Sequence, residues 1–175
     1  SINGLTLFTG EQYCRIYRDA YDMKITVLRL TNIYGPDERS GLLYRIIKDC
    51  KNKNEVLFPV PEDATVSFLH TGDVADFIKR AMDEEYSTES FVVNLSSSNP
   101  IKFSELVDLL KKYFPRVTYK FQDKKGLFTR PAVVSTAKRL YDWIDAYRLS
   151  NEIERVIDLF EERLAPSKSG LGIKL

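Results

Sequence analysis

The chain has 175 residues, 43% of them hydrophobic and 29% charged, which suits one domain with a packed core and excludes wholesale disorder. Lys and Arg number 26 against 25 Asp and Glu, a formal net charge of +1, so the basic excess of a dedicated nucleic-acid binder is missing. Two cysteines, Cys14 and Cys50, and a single histidine argue against a disulfide framework or a Cys/His zinc site, and two free thiols suit a reducing cytosol. No apolar run approaches the roughly 20 residues that span a bilayer, and the first residues lack a signal-peptide layout. A cytoplasmic protein with neither membrane nor nucleic-acid partners is therefore expected. The chain starts at Ser1 and enters a helical pattern within about ten residues, so it is also expected to be an excised piece of something longer.

In chain order, Thr9-Gly10-Glu11 opens a predicted helix with Tyr13, Ile16, Tyr17, Ala20 and Tyr21 at helical spacing. The run Ile25 to Leu30 is β-branched and apolar, and reads as a strand buried on both faces. Tyr34-Gly35-Pro36-Asp37 is a turn by composition. Ser40 is the expected cap of a helix to about Lys51, and Val56–Phe58 and Val66–His70 read as strands. Asp73 is the expected cap of a helix carrying Val74, Phe77, Ile78 and Ala81 on one stripe. A strand over Ser90–Asn94, a helix capped by Ser104 and ending at Tyr113, and a strand over Val117–Phe121 follow. Gln122 to Phe128 reads as loop, residues 135–143 and 150–164 as the last helices, and 165–175 as a poorly ordered tail. This is an α/β pattern, interrupted too often by loops for a complete doubly wound sheet.

Absences narrow the chemistry. No Gly-x-Gly-x-x-Gly follows a strand, and the chain lacks Gly-x-x-x-x-Gly-Lys-Ser/Thr, Gly-x-Ser-x-Gly and any His-x-x-x-His pair. The chain therefore carries no evident phosphate cradle and none of the common hydrolase or zinc-protease signatures.

Three stretches are more specific: Thr9-Gly-Glu-Gln-Tyr13, then Thr26 to Pro36 with its Arg-Leu-Thr-Asn-Ile-Tyr-Gly core, then Ser67-Phe-Leu-His-Thr-Gly-Asp-Val-Ala75. Val93-Asn94, Phe103-Ser-Glu-Leu, Arg130-Pro-Ala, Ser135-Thr-Ala-Lys and Trp143 continue the series. Their order and spacing, from about residue 3 to about 163, resemble the C-terminal half of the extended short-chain dehydrogenase/reductase family, the nucleotide-sugar epimerases and dehydratases. The resemblance implies the C-terminal part of a Rossmann-type protein, residues 1–164, forming a small substrate-binding lobe. It further implies NAD or NADP bound by a missing N-terminal Rossmann half, a nucleotide-sugar substrate, and a homodimer through the helix at residues 8–22. No cofactor is expected on this chain alone.

Within the resemblance, Asn32 matches an asparagine that contacts substrate, its amide offering both a donor and an acceptor. Arg130 matches the arginine that clamps the substrate diphosphate, a task suited to a guanidinium fork. Several positions depart from the family. Its acid/base tyrosine and lysine fall at Asn3 and Leu7, which cannot ionise or donate as that chemistry needs. A second diphosphate arginine falls at Val66, and the Gly-Asp after the clamping arginine is Ala132-Val133. No catalytic residue is therefore assigned. An inactive substrate-binding portion of an epimerase/dehydratase-like protein is the expected function. The alternative is a catalytically dead relative that serves as a binding or oligomerisation module. His70 and Asp73 are read as structural, the first through internal hydrogen bonding, and Arg29 as the partner of a carboxylate.

Overall fold

The computed structural model describes residues 1–82, 91–122, 135–137 and 143–164, with the side chains of 162–164 excepted. In chain order it contains α1 (Ile2–Tyr21), β1 (Val27–Leu30), β2 (Asn32–Tyr34), α2 (Leu42–Asn52), β3 (Glu55–Phe58), β4 (Thr65–Val66), β5 (Phe68–His70), α3 (Thr71–Ala81), β6 (Val92–Leu95), β7 (Ile101–Lys102), α4 (Phe103–Tyr113), β8 (Thr118–Phe121) and α5 (Leu149–Leu164). Three strand pairs are parallel: β1 with β6, β2 with β5, and β3 with β8. The short β4 and β7 pair antiparallel. Parallel pairing demands long crossovers, and α2, α3 and α4 lie within them.

The apolar stripes decide the packing. Leu43, Ile46, Ile47 and Cys50 of α2 meet Phe103, Leu106, Val107 and Leu110 of α4 and Ile153, Ile157 and Phe160 of α5 in the larger core. β3 alternates exposed and buried residues, and its inward Phe58 packs against Phe103 at 5.6 Å and Phe121 at 5.5 Å between ring centroids. A smaller core gathers Leu69, Phe77, Val93, Leu95, Ala137 and Trp143. There the Trp143 ring meets Phe77 edge-on, and its indole N–H donates to Asp76 Oδ2 at 2.9 Å. Each such apolar side chain taken from water is worth about 1.5–3 kcal/mol.

Several expectations are corrected. α1 begins at Ile2, capped by the Ser1 hydroxyl, a full two turns before Thr9, and contains no buried residue. Its Tyr13, Ile16, Tyr17 and Tyr21 are exposed. They pack no core among the described residues. β1 is shorter than predicted and is not buried on both faces: Val27 and Leu28 are half-buried, while Arg29 and Leu30 are exposed. Arg29 does find its carboxylate, donating to both oxygens of Glu11 at 2.8 and 2.6 Å and so tying β1 to α1.

The helix caps also differ. Ser40 does not cap α2; Gly41 does, and the Glu38 carboxylate accepts the backbone N–H groups of Ser40 and Gly41. A Cβ on Gly41 would lie 2.8 Å from that carboxylate, so a larger residue there would push the Glu38 side chain aside. Ser104 lies inside the first turn of α4, which is capped at Lys102, whose backbone N–H donates to Glu105. The predicted strand over Val66–His70 is two strands broken at Ser67. The predicted 122–128 loop beyond Gln122, most of the 135–143 helix and the 165–175 tail lie outside the described residues.

Candidate functional site at the ends of the parallel strands

Parallel strands gather their carboxyl ends on one side, where open α/β sheets take ligands as the pairing order switches. Here two such switches coincide. At Thr31 the chain leaves β6 and joins β5, with the Thr31 N–H donating to Leu95 O at 3.2 Å. At Ser67 it leaves β7 and joins β2. The residues following β6, Ser96 and Ser97, reach the same point.

Their polar groups close a connected junction. Ser97 N–H donates to Ser67 Oγ at 3.1 Å, and the Ser67 and Ser96 hydroxyls share a hydrogen bond of 2.8 Å. The Ser96 hydroxyl also reaches Ser97 O at 3.4 Å, and the Thr31 hydroxyl lies 3.5 Å from Ser67 Oγ. Asn32 donates from Nδ2 to Ser67 O at 3.1 Å, and its side chain is otherwise exposed. Of the two predicted substrate-binding residues, Asn32 therefore stands at this junction. Arg130 lies outside the described residues, as do Ala132 and Val133. Asn3 and Leu7 are one turn apart on the exposed α1.

A second polar layer supports the first. Asp145 is buried; its carboxylate accepts from Ser97 Oγ and Ser98 N–H, each at 2.8 Å, and from Arg148 at 3.1 Å. Burial alone would raise its pKa, but the bonds from Ser98 and Ser97 and the Arg148 charge outweigh that and hold it below the usual carboxylate value. Asp73 is not the cap of α3. It sits in the first turn and accepts the N–H groups of Ala146 at 2.7 Å and Tyr147 at 3.3 Å. Its pKa is raised by burial, against the pull of those two amides.

The cap of α3 is His70, whose Nδ1 accepts the Gly72 N–H at 3.0 Å. That acceptor role fixes a neutral imidazole, and burial holds its pKa below the ordinary value. The ring stacks on Tyr147 at 4.0 Å and meets the edge of Tyr34 at 5.1 Å. The structural reading of His70 holds. Tyr34 Oη is buried with no hydrogen-bond partner among the described residues, and burial raises its pKa. Gly35 is obligatory beside it, because a Cβ there would lie 2.2 Å from Thr71 Oγ1.

The pyrophosphate of a dinucleotide needs free amides at a helix N-terminus after a strand, reached through a glycine-rich turn. Here the chain has no Gly-x-Gly-x-x-Gly, the His70 ring takes the Gly72 N–H in the first turn of α3, and the Phe103 and Ser104 N–H groups of α4 donate to Ala64 O and Glu62 O. No group of three or more metal-ligating side chains occurs among the described residues, and no described helix is long and apolar enough to cross a membrane. A cavity of about 380 Å³ lies between the 35–39 turn, α2 and α5, lined by Pro36, Arg39, Tyr44, Val156 and Phe160 among others, and Asn32 does not line it.

Sequence reasoning assigned no role to Ser67 or Asp145. The available signal for Ser67 was a hydroxyl inside the apolar run Val66 to Leu69, which a buried strand tolerates only with partners. Asp145 carries no comparable mark in its local sequence.

These parallel crossovers and the polar junction at their carboxyl ends define a Rossmann-type α/β protein of the extended short-chain dehydrogenase/reductase kind. The chain belongs to the NAD dependent epimerase/dehydratase family, whose family model matches residues 4–95. It is 28% identical over 113 residues to a putative UDP-glucose 4-epimerase of Methanocaldococcus jannaschii, covering 62% of this chain and 35% of that protein. It is 29% identical over 146 residues to UDP-glucuronate 4-epimerase 4 of Arabidopsis thaliana, covering 75% and 32%. The crystal structure of UDP-glucose 4-epimerase with UDP-glucose from Thermotoga maritima superposes with a TM-score of 0.73 at 22% identity, covering 92% of this chain and 53% of that one. The chain thus spans about a third to a half of the length of the curated relatives it matches.

Proposed function

We propose that residues 1–164 are the substrate-binding portion of an NAD-dependent nucleotide-sugar epimerase/dehydratase-like protein, without turnover of its own. The observation that carries this reading is the junction at Thr31, Asn32, Ser67 and Ser96, where an exposed amide side chain sits at the carboxyl ends of β1 and β6, as β2 and β5 begin. Family membership supplies the substrate class. Asn32 contacts the sugar nucleotide and Arg130 holds its diphosphate. NAD or NADP belongs to an N-terminal Rossmann half, because this chain carries no Gly-x-Gly-x-x-Gly turn for the pyrophosphate. Asn3 and Leu7 carry no acid/base chemistry, so catalysis is not assigned to this chain.

The exposed aromatic face of α1 supports association of two copies through residues 8–22 in a cytoplasmic homodimer. The second reading, a catalytically dead relative acting as a binding or oligomerisation module, is favoured by the replacements at Asn3, Leu7, Val66 and Val133. Calorimetric titration of the full-length protein and of this chain with UDP-glucose separates the two. Binding that weakens in Asn32→Ala and Arg130→Ala supports the substrate lobe. No binding by the full-length protein, with self-association intact, replaces it with the module.

A further inference from the structure

We infer that the cavity between the 35–39 turn, α2 and α5 binds a small organic carboxylate, its apolar body against Tyr44, Val156 and Phe160 and its charge on Arg39. This site is separate from the junction, since none of Thr31, Asn32, Ser67 and Ser96 lines it, and the inference does not rest on the substrate-lobe reading.

The walls are set by the packing of the helices. α2 brings Ile47, which is fully buried, and α5 brings the buried Phe160; both belong to the larger core. The Phe160 ring is held on two sides. Tyr44 lies 5.0 Å away between centroids, and Lys51 Nζ lies 5.5 Å from the ring centre. The turn is pinned as well: Gly35 has no room for a Cβ beside Thr71, and Glu38 accepts the N–H groups that lead into α2. These constraints hold the space open. Its volume of about 380 Å³ falls within the roughly 300–1,000 Å³ of small-molecule pockets.

The charges around the cavity decide the class of ligand. Lys51 is answered by Glu161 at 2.7 Å. The Glu38 carboxylate is turned to the Ser40 and Gly41 N–H groups, at the positive end of the α2 dipole. Arg39 lines the cavity, is exposed, and has no carboxylate partner among the described residues. The Tyr44 hydroxyl has no hydrogen-bond partner among them either. A guanidinium carries donors only, so it calls for an acceptor, and a charged one answers it best. An apolar floor beside two unanswered donors suits an aromatic or aliphatic body that ends in a carboxylate.

Calorimetric titration of the full-length protein with 1-naphthoate and with its neutral analogue 1-naphthamide tests this. Naphthoate should bind at one site, at least about fivefold tighter than the amide, and added salt should shrink that difference. Arg39→Gln should weaken naphthoate about fivefold and leave the amide unchanged. Val156→Trp fills the cavity and should abolish both, whereas Asn32→Ala should change neither. Equal affinities of the two probes, or naphthoate binding undiminished in Arg39→Gln, overturns the choice of an anion. The site itself is overturned by three results: no binding of either probe at millimolar concentration, binding that survives a folded Val156→Trp, or loss in Asn32→Ala. Should Val156→Trp fail to fold, Tyr44→Ala, at a half-buried position, takes its place; it should weaken both probes about fivefold, and unchanged affinities would overturn the site equally.

Discussion

Replacing Asp145 by Ala should be the most damaging single change to the frame around the site. Its side chain is only 2% exposed, and it answers the buried Ser97 hydroxyl and the part-buried Ser98 N–H. A buried donor left without a partner costs about 1–3 kcal/mol, so the two cost at least about 1 and at most about 6 kcal/mol. Arg148, with 39% of its side chain exposed, recovers water and adds little. Against a whole-domain stability of about 5–15 kcal/mol this is a large fraction, and at roughly 2–4 °C per kcal/mol it should lower Tm by about 2–24 °C. Asp145→Asn keeps the shape and part of the bonding, and should cost about half as much.

The pH dependence adds a second readout with a definite sign. The folded-state pKa of Asp145 is depressed, so its contribution is fully present above the ordinary carboxylate value and disappears as pH falls through the lower folded one. Asp73 has the opposite sign: its folded pKa is raised, so the stability linked to it is lost as pH rises through that value. Urea unfolding across the acid range, for wild type and Asp145→Asn, should show a shallower acid loss in the variant. A cost below about 1 kcal/mol for Asp145→Ala, with an unchanged urea slope, would refute the reasoning, because the two donors would then have found other partners.

Three further outcomes are expected. His70→Ala should lose about 1 kcal/mol through the vacated α3 cap; in the wild type, because the folded pKa of His70 is lowered, stability should decline as pH falls below the ordinary imidazole value, and chemical denaturation at several pH values checks both. Trp143→Phe keeps the ring contact with Phe77 but abandons the bond to Asp76, and should cost about 1 kcal/mol in the same assay. The exposed Leu5, Phe8, Ile16 and Tyr17 of α1 should drive self-association of this 175-residue chain, so light scattering over a concentration series should show growth that Ile16→Lys with Tyr17→Glu suppresses; a monomer at every concentration would contradict it.

How far the sequence reaches depends on the range of the interaction involved. Leu43, Ile46 and Ile47 at helical spacing define the buried face of α2 before any partner is known, and the same holds for Leu106, Val107 and Leu110 in α4. The alternating Val56 and Phe58 mark β3 in the same way, and Asn32 was found from its motif. Periodicity reads these because it is a property of neighbouring residues. The caps were legible only in part. Ser40, Asp73 and Ser104 are all good cap types, yet the side chains that meet backbone amides at these junctions are Glu38, His70 and Glu105, since a cap is settled by which side chain the local backbone brings to the amides. The break at Ser67 is not visible in the local pattern: Val66 to His70 reads as one strand despite its serine, and only the separate partners Ile101 and Asn32 divide it. The junction joins Ser67 to Asn32 and Ser97 across 35 and 30 residues, and Asp73 reaches Ala146 across 73. Composition and spacing thus determined an α/β chain with its helical faces, and a family motif singled out Asn32. Which hydroxyls meet, and which way that amide points, is decided by the pairing order of strands distant in sequence, a property that no stretch of the chain possesses by itself.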